Sequence, residues 1–340
     1  MRIETLPPVA AVGHILCHNL ADAQGRKAFS KGRRLQTEDL ARLAELGIAA
    51  VRVAVLAPDD VHEDEAAVRL AQIVAGPGVA IGEPHAGRVN LRATVDGLLL
   101  IDAEGLLSIN LIDGLTVATL PSYTLVTAGQ MLATIKIIPF AVPAADLSQA
   151  ATTSSGGVMR VTMLTRQRIG VALVSSLAGR ARVARVMLPA ISGRIADLGA
   201  TMVAQREVLP DEAEVAAGLV ELIESGADLI IAAGETSVVD RDDVIPRAVR
   251  RLGGEIAHYG APVEPGNLLL LAYLPGADGD IPVIGAPGCV RSRDQNIVDL
   301  ILPRLMAGER LGRREIAALG LGGLLGAVRQ EARSHRDNRA

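Results

Sequence analysis

Apolar and polar positions follow two different rhythms along this chain, and the change falls near its middle. The first part reads as short strands with one clear helix. In "TEDLARLAELG", Leu40, Leu43 and Leu46 recur at helical spacing, Thr37 stands where an N-cap belongs, and Gly47 supplies a stop. "IAAVRVAVL" follows as a strand. The stretch from "GRVNLRATV" to "GQMLATIKIIPFAV" is β-branched, alternates in places, and is punctuated by glycines and Pro121. The pattern predicts a β-rich N-terminal domain over residues 1–150.

From Pro143 to Met163 the chain turns to Ser, Thr, Ala and Gly, which predicts a linker over 151–165. Strand and helix then alternate. "RIGVALVSS", "ATMVAQREV", "ADLIIAA", "NLLLLAYL" and "IPVIGAP" read as strands. "RVARVMLPAISGRIADLG" reads as a helix interrupted by a proline and a glycine, and "PDEAEVAAGLVELIES", "VIPRAVRRLGG" and "SRDQNIVDLILPRLMAG" as further helices. This alternation over 166–310 predicts an α/β domain: a mostly parallel sheet with helices on both faces, a three-layer α/β/α sandwich. The segment 311–340 reads as a C-terminal tail whose final dozen polar, Arg-rich residues fray.

Composition narrows the function classes. The 340 residues include five aromatics and carry a formal charge of −4, so neither stacked bases nor a phosphate backbone has a matching surface. The longest apolar runs, such as "LLLLAYL", fall far short of the roughly 18–20 residues a membrane span needs. The first residues contain Glu4 and two early prolines rather than a basic and then apolar leader. The two cysteines, Cys17 and Cys289, lie far apart and outside any C-x-x-C spacing, which favours a reducing cytoplasm. Neither a phosphate-binding G-x-x-x-x-G-K-[ST] loop nor a G-x-G-x-x-G turn is present, and His14 and His18 around Cys17 read as structural.

In open α/β sheets ligands bind beyond the carboxyl ends of the strands, which directs attention to three turns. The first, after "ADLIIAA", offers Gly234, Thr236, Ser237, Asp240, Asp242 and Asp243. A helix starting there aims free amides at an anion, and the carboxylates suit Mg²⁺ beside a phosphate. Composition by itself favours the plainer reading, in which one aspartate caps the helix and the rest face water. The other turns are "PVEPGN" and "GAPGCVRSRDQN", where Pro-Gly followed by Arg291, Ser292 and Arg293 reads either as an anion-binding helix start or as an ordinary turn and cap.

Taken in order, "ADLIIAAGETS", "VVDRDD", "EPGN" and "GAPG" resemble the molybdopterin-binding domain of molybdopterin adenylyltransferases and molybdotransferases. "KGRRLQTEDLARLAELGIAAVRVAVL", "DDVHEDEAA", "GRVNL" and "GQMLATIKIIPFAV" extend the likeness to bacterial molybdopterin-binding proteins, some of which are fused to a cytidylyltransferase-like domain. The resemblance implies that Gly234, Glu235, Thr236 and Ser237 line the ligand's turn and that Pro265, Gly266, Asn267, Pro287, Gly288, Cys289, Arg291 and Ser292 wall the pterin. It also implies that Asp240, Asp242 and Asp243 hold magnesium, with Asp242 and Asp243 at the positions of the family's catalytic acids.

Three departures accompany the likeness. Glu235 stands where the family's turn has its second glycine, Glu264 and Asn267 stand where molybdotransferases carry lysines, and Cys289 replaces an asparagine. The implied function is binding of molybdopterin or the molybdenum cofactor during its biosynthesis or maturation, with presentation to a separate cytidylyltransferase-like enzyme or a molybdoenzyme. The alternatives are a molybdopterin transferase, inserting molybdate or moving an adenylyl group, and a scaffold that has lost the pocket. Relatives imply a homo-oligomer.

Overall fold

The computed structural model describes residues 1–152 and 156–325. They form two compact units, Met1–Met163 and Leu164 onward.

The N-terminal unit is β-rich. Its first 55 residues build an antiparallel sheet in which Val51–Val55 pairs with both Arg2–Leu6 and Ile15–Leu16. The predicted helix spans Asp39–Glu45 and begins later than the spacing of Thr37 suggests. Asp39 sets that start, because its carboxylate accepts from the Gln36 amide (2.9 Å) and from the Arg33 guanidinium (2.7 and 3.1 Å). A four-stranded antiparallel sheet follows, ordered Leu115–Thr119, Met131–Ile137, Arg88–Ala93 and Val79–Ile81. Helix Glu63–Val74 buries Ala66, Ala67, Leu70, Ala71 and Val74 against the core of this region.

One polar cluster is locked into that packing. The Glu63 carboxylate accepts from Lys136 Nζ (3.1 Å), which also donates to the Ala86 carbonyl (2.5 Å), while Asp64 accepts from the Gly87 amide (2.6 Å). Gly87 has φ +70°, and a Cβ there would lie 2.4 Å from Glu63 Oε2. The acidic "HEDE", the "GRVNL" turn and the lysine of "TIKII" therefore meet at one structural knot.

The segment expected to be a linker is more ordered than its composition suggests. Ala144–Thr152 is helical, and Met159–Thr162 is a strand paired antiparallel with Gly97–Ile101. Met159 and Val161 alternate into the core, and that burial outweighs the flexible composition around them.

In the C-terminal unit the elements run β1 (Arg168–Val174), α1 (Arg180–Asp197), β2 (Thr201–Val208), α2 (Glu212–Glu224), β3 (Leu229–Gly234), α3 (Val244–Arg251), β4 (Glu255–Tyr259), β5 (Leu270–Leu274), β6 (Ile281–Ala286), α4 (Ile297–Met306) and α5 (Arg313–Ala318). The sheet order is β2-β1-β3-β6-β5-β4. Strands β2, β1, β3 and β6 are parallel, and β5 and β4 add on antiparallel. β1, β3, β5 and β6 are apolar nearly throughout because both of their faces are covered. One core joins the sheet to α1, α4 and α5, and another joins it to α2 and α3. This is the three-layer α/β/α sandwich.

Helix α1 is continuous through Pro189 and Gly193, where the sequence suggested a break. Val183, Met187, Ile191 and Ile195 anchor it to the sheet, which compensates for the missing amide at the proline. A Cβ on Gly193 would lie 2.6 Å from Arg293 Nη1, so the glycine makes room for that guanidinium. The tail is ordered at its start: Leu311 is buried, and α5 buries Ile316. The final dozen residues lie outside the described residues.

Candidate functional site

Turns at the carboxyl end of the sheet converge on a cavity of about 420 Å³. Gly234, Glu235 and Ser237 come from the turn after β3, Glu264 to Leu268 from the turn before β5, and Pro287, Gly288, Cys289 and Arg291 from the turn after β6. Helix α1 supplies Arg182, Val183, Val186 and Met187. The size falls within the roughly 300–1,000 Å³ of ordinary small-molecule pockets.

Backbone geometry dictates much of this lining. Gly266 has φ +140°, and a Cβ there would lie 2.4 Å from Ile297 Cγ2, so the turn passes close to the start of α4 only as glycine. The Ser237 hydroxyl accepts from the Gly288 amide at 2.9 Å and ties the turn after β3 to the turn after β6. Behind this wall Arg194, 5% exposed, binds both Asp299 oxygens (2.8 and 3.2 Å) and the carbonyls of Val290, Asp294 and Ala190. Asn296 caps α4 in a reciprocal box with Asp299. The loop from Gly288 to Asn296 is thereby fixed from behind.

Charge in the cavity is balanced. Glu235 Oε1 accepts from Arg182 Nη2 at 2.7 Å, and its Oε2 accepts from the Ser176 hydroxyl (2.9 Å) and amide (3.2 Å). The Ser176 hydrogen bonds, together with Arg182, hold its carboxyl below the usual range, so Glu235 is ionised. Arg291 also lines the cavity and has no ion pair among the described residues. Burial pushes the Cys289 thiol up, so it stands there as a neutral, weakly polar group.

A smaller cavity of about 210 Å³ adjoins the first, with Glu235 and Ser237 lining both. Thr236, Asp243, Val244, Ile245, Pro210 and the Ser175–Ser176 pair after β1 complete it. Ser175 is 1% exposed and its hydroxyl has no hydrogen-bond partner among the described residues. The first amides of α3, at Val244 and Ile245, lie beyond the reach of intrahelical acceptors, and Asp243 makes no side-chain cap to them.

The aspartates of the turn are engaged by their own loop and by helix α3. Asp243 Oδ2 accepts from the amides of Val239 (2.7 Å) and Asp240 (3.1 Å), Asp240 Oδ1 accepts from the Asp242 amide (2.6 Å), and Asp242 pairs with Arg250 (2.7 Å) while 80% exposed. Ser292 turns to Asp294 (2.9 Å). Of the residues singled out in the sequence, eleven therefore line the larger cavity, namely Gly234, Glu235, Ser237, Glu264, Pro265, Gly266, Asn267, Pro287, Gly288, Cys289 and Arg291. Thr236 and Asp243 line the smaller one, and Asp240, Asp242, Ser292 and Arg293 line neither. Sequence reasoning passed over Arg182, Ser175 and Ser176. The two serines directly follow a buried strand, and the strand-end rule would have found them.

Residues 152–307 match a family model described as "Probable molybdopterin binding domain". Residues 5–55 match a second model, described as a domain of unknown function. A search of curated proteins finds no match. Among solved structures, a tungsten cofactor synthesizing protein MoaB from Pyrococcus furiosus shares 19% identity at a TM-score of 0.30, over 41% of this chain and 90% of its own. The molybdopterin biosynthesis Mog protein from Mycobacterium ulcerans shares 16% at 0.28, over 42% and 96%. A molybdenum cofactor biosynthesis protein from Pyrococcus furiosus shares 11% at 0.25 over 93% of this chain, which spans 65% of that protein. At these values the likeness is loose and carries no argument.

Proposed function

We propose that the C-terminal unit binds molybdopterin or the molybdenum cofactor in the larger cavity and that the protein acts in biosynthesis or maturation of that cofactor. The observation that carries this reading is the convergence of three glycine- and proline-shaped turns and of Arg291, which has no ion pair among the described residues, on a single pocket within the matched domain. Glycine turns let the backbone approach a flat heterocycle, Asn267 and Cys289 offer polar contacts at its edge, and Arg291 offers charge to a phosphate. The Ser175 hydroxyl, without a partner among the described residues, and the open amides of α3 suit a further polar group of the ligand in the adjoining cavity.

Magnesium fits this site only as a companion of the ligand. Among the described residues no group of three or more His, Cys, Asp or Glu side chains stands ready for a metal. Mg²⁺ commonly binds through one or two carboxylates together with substrate phosphates, and Asp243, on the lining of the smaller cavity, is the carboxylate best placed for that. In this reading Asp240 and Asp242 shape the loop.

The protein acts as a cytoplasmic carrier, a homo-oligomer that hands its cofactor to a separate nucleotidyltransferase or molybdoenzyme. Among the described residues no helix is long and apolar enough to cross a membrane. Glu264 supports the carrier reading over molybdate insertion, since it adds a negative charge to the lining of the pocket. Protein purified from a cofactor-producing host should retain a pterin, detected by its fluorescence after oxidation, and Arg291→Ala should weaken molybdopterin binding about tenfold. Absence of pterin, or equal affinity in the variant, would overturn the reading. Turnover with molybdopterin, Mg²⁺-ATP and molybdate would replace the carrier by a transferase.

A further inference from the structure

The turn after β3 holds a feature that the glycine expected at position 235 would not create. Three donors, the Ser176 amide, the Ser176 hydroxyl and the Arg182 guanidinium, converge on one carboxylate within 3.2 Å. They sit at the start of α1, an 18-residue helix whose N-cap Gly179 offers no capping side chain, so the helix end adds partial positive charge. An arginine, a hydroxyl and a backbone amide gathered at a long helix's N-terminus are the donor set that binds phosphate oxygens. The carboxylate lies at the junction of the two cavities, since Glu235 lines both.

We propose that Arg182 and Ser176 form an oxyanion cradle at this junction and that Glu235 is its built-in occupant, which a ligand's phosphate must displace. The proposal rests on the cofactor-binding reading for the identity of the ligand, and on the geometry alone for the cradle.

Two observations show that the occupant is seated but replaceable. Space is reserved for it, because a Cβ on Gly179 would lie 2.4 to 2.6 Å from the Glu235 carboxyl atoms. Yet Arg182 is 60% exposed and Glu235 30%, and ion pairs so open to water are weakly held. Hydrogen bonds keep the carboxylate ionised near neutrality, so it competes as a monoanion, whereas a phosphate monoester brings close to two charges and three acceptor oxygens to the same donors. Glu235 thus screens ligands by charge: a neutral or singly charged molecule leaves it in place, and a phosphate ester displaces it.

Inorganic phosphate is the probe, titrated calorimetrically into the full chain, with thermal denaturation as the check on folding. Glu235→Gly and Glu235→Gln should each bind phosphate at least tenfold more tightly than the wild type, and adding Arg182→Ala to either should return affinity to the wild-type level. Unchanged phosphate affinity in both folded single variants would overturn the proposal, as would a gain that survives loss of Arg182. A parallel molybdopterin titration separates the two readings. A phosphate gain without pterin binding sustains the cradle and sinks the cofactor reading, whereas pterin binding without a phosphate gain sinks the cradle alone.

Discussion

Two acidic clusters in this molecule look alike in sequence and differ in what the fold does with them. Glu63 and Asp64 of the N-terminal unit are closed off by Lys136 and by the backbone of the Ala86–Gly87 turn. The turn after β3 instead sets a carboxylate held by exposed donors and the uncapped amides of α3 beside Ser175, after β1, whose hydroxyl has no partner among the described residues. Buried polar groups are normally partnered, and a site is where that rule is relaxed. The number of acidic residues distinguishes nothing here; how far their neighbours are satisfied does.

The sharpest way to break that contrast is to unlock the wall behind the cavity. Arg194→Ala leaves Asp299 and three carbonyls without their guanidinium and should cost about 3–5 kcal/mol in urea denaturation, with ligand binding lost as the Gly288–Asn296 loop loosens. In the N-terminal cluster, Lys136→Ala strands the nearly buried Glu63 and should cost about 1–3 kcal/mol in the same assay without altering ligand affinity. Equal effects on binding from both variants would erase the distinction between scaffold and site.

A pH experiment sharpens the scaffold half. The hydrogen bond from Arg33, helped by the Gln36 amide, holds the Asp39 carboxyl below the usual range. With a folded value under an unfolded one of roughly 3.9, this contribution is complete above about pH 4 and disappears as pH falls through the folded value. Asp39→Asn should therefore be less stable than wild type at pH 7, by about 1–2 kcal/mol, and the gap in urea midpoints should narrow at pH 3. The smallest stability effect belongs to the site: Arg291→Ala should stay within about 0.5 kcal/mol of wild type while losing ligand affinity, the signature of a residue kept for binding.

Much of the fold was legible because β1, β3 and β6 are covered on both faces and read as unbroken apolar runs. Edge strand β4, half-buried and containing Glu255 and His258, carries no such run and went unseen. The cavity wall was legible where backbone conformation demands particular residues, as at Gly266 and Pro287. Arg182 was not, since nothing in a helical arginine announces the glutamate 53 positions away that the sheet brings to it. The aspartates drew attention by their density, yet Asp240 binds an amide of its own loop and Asp242 pairs with Arg250, local uses that composition does not separate from a ligand site.

The close approach of Gly179 to Glu235 links two positions that sequence alone would treat as independent. A side chain at 179 and a carboxylate at 235 contend for the same volume, so substitutions at the two sites should be correlated through descent. Lineages that keep glutamate at 235 should keep glycine at 179, and those that revert 235 to glycine should let 179 drift. An alignment of close relatives can thus be sorted into occupied and vacant forms of this corner by reading two columns.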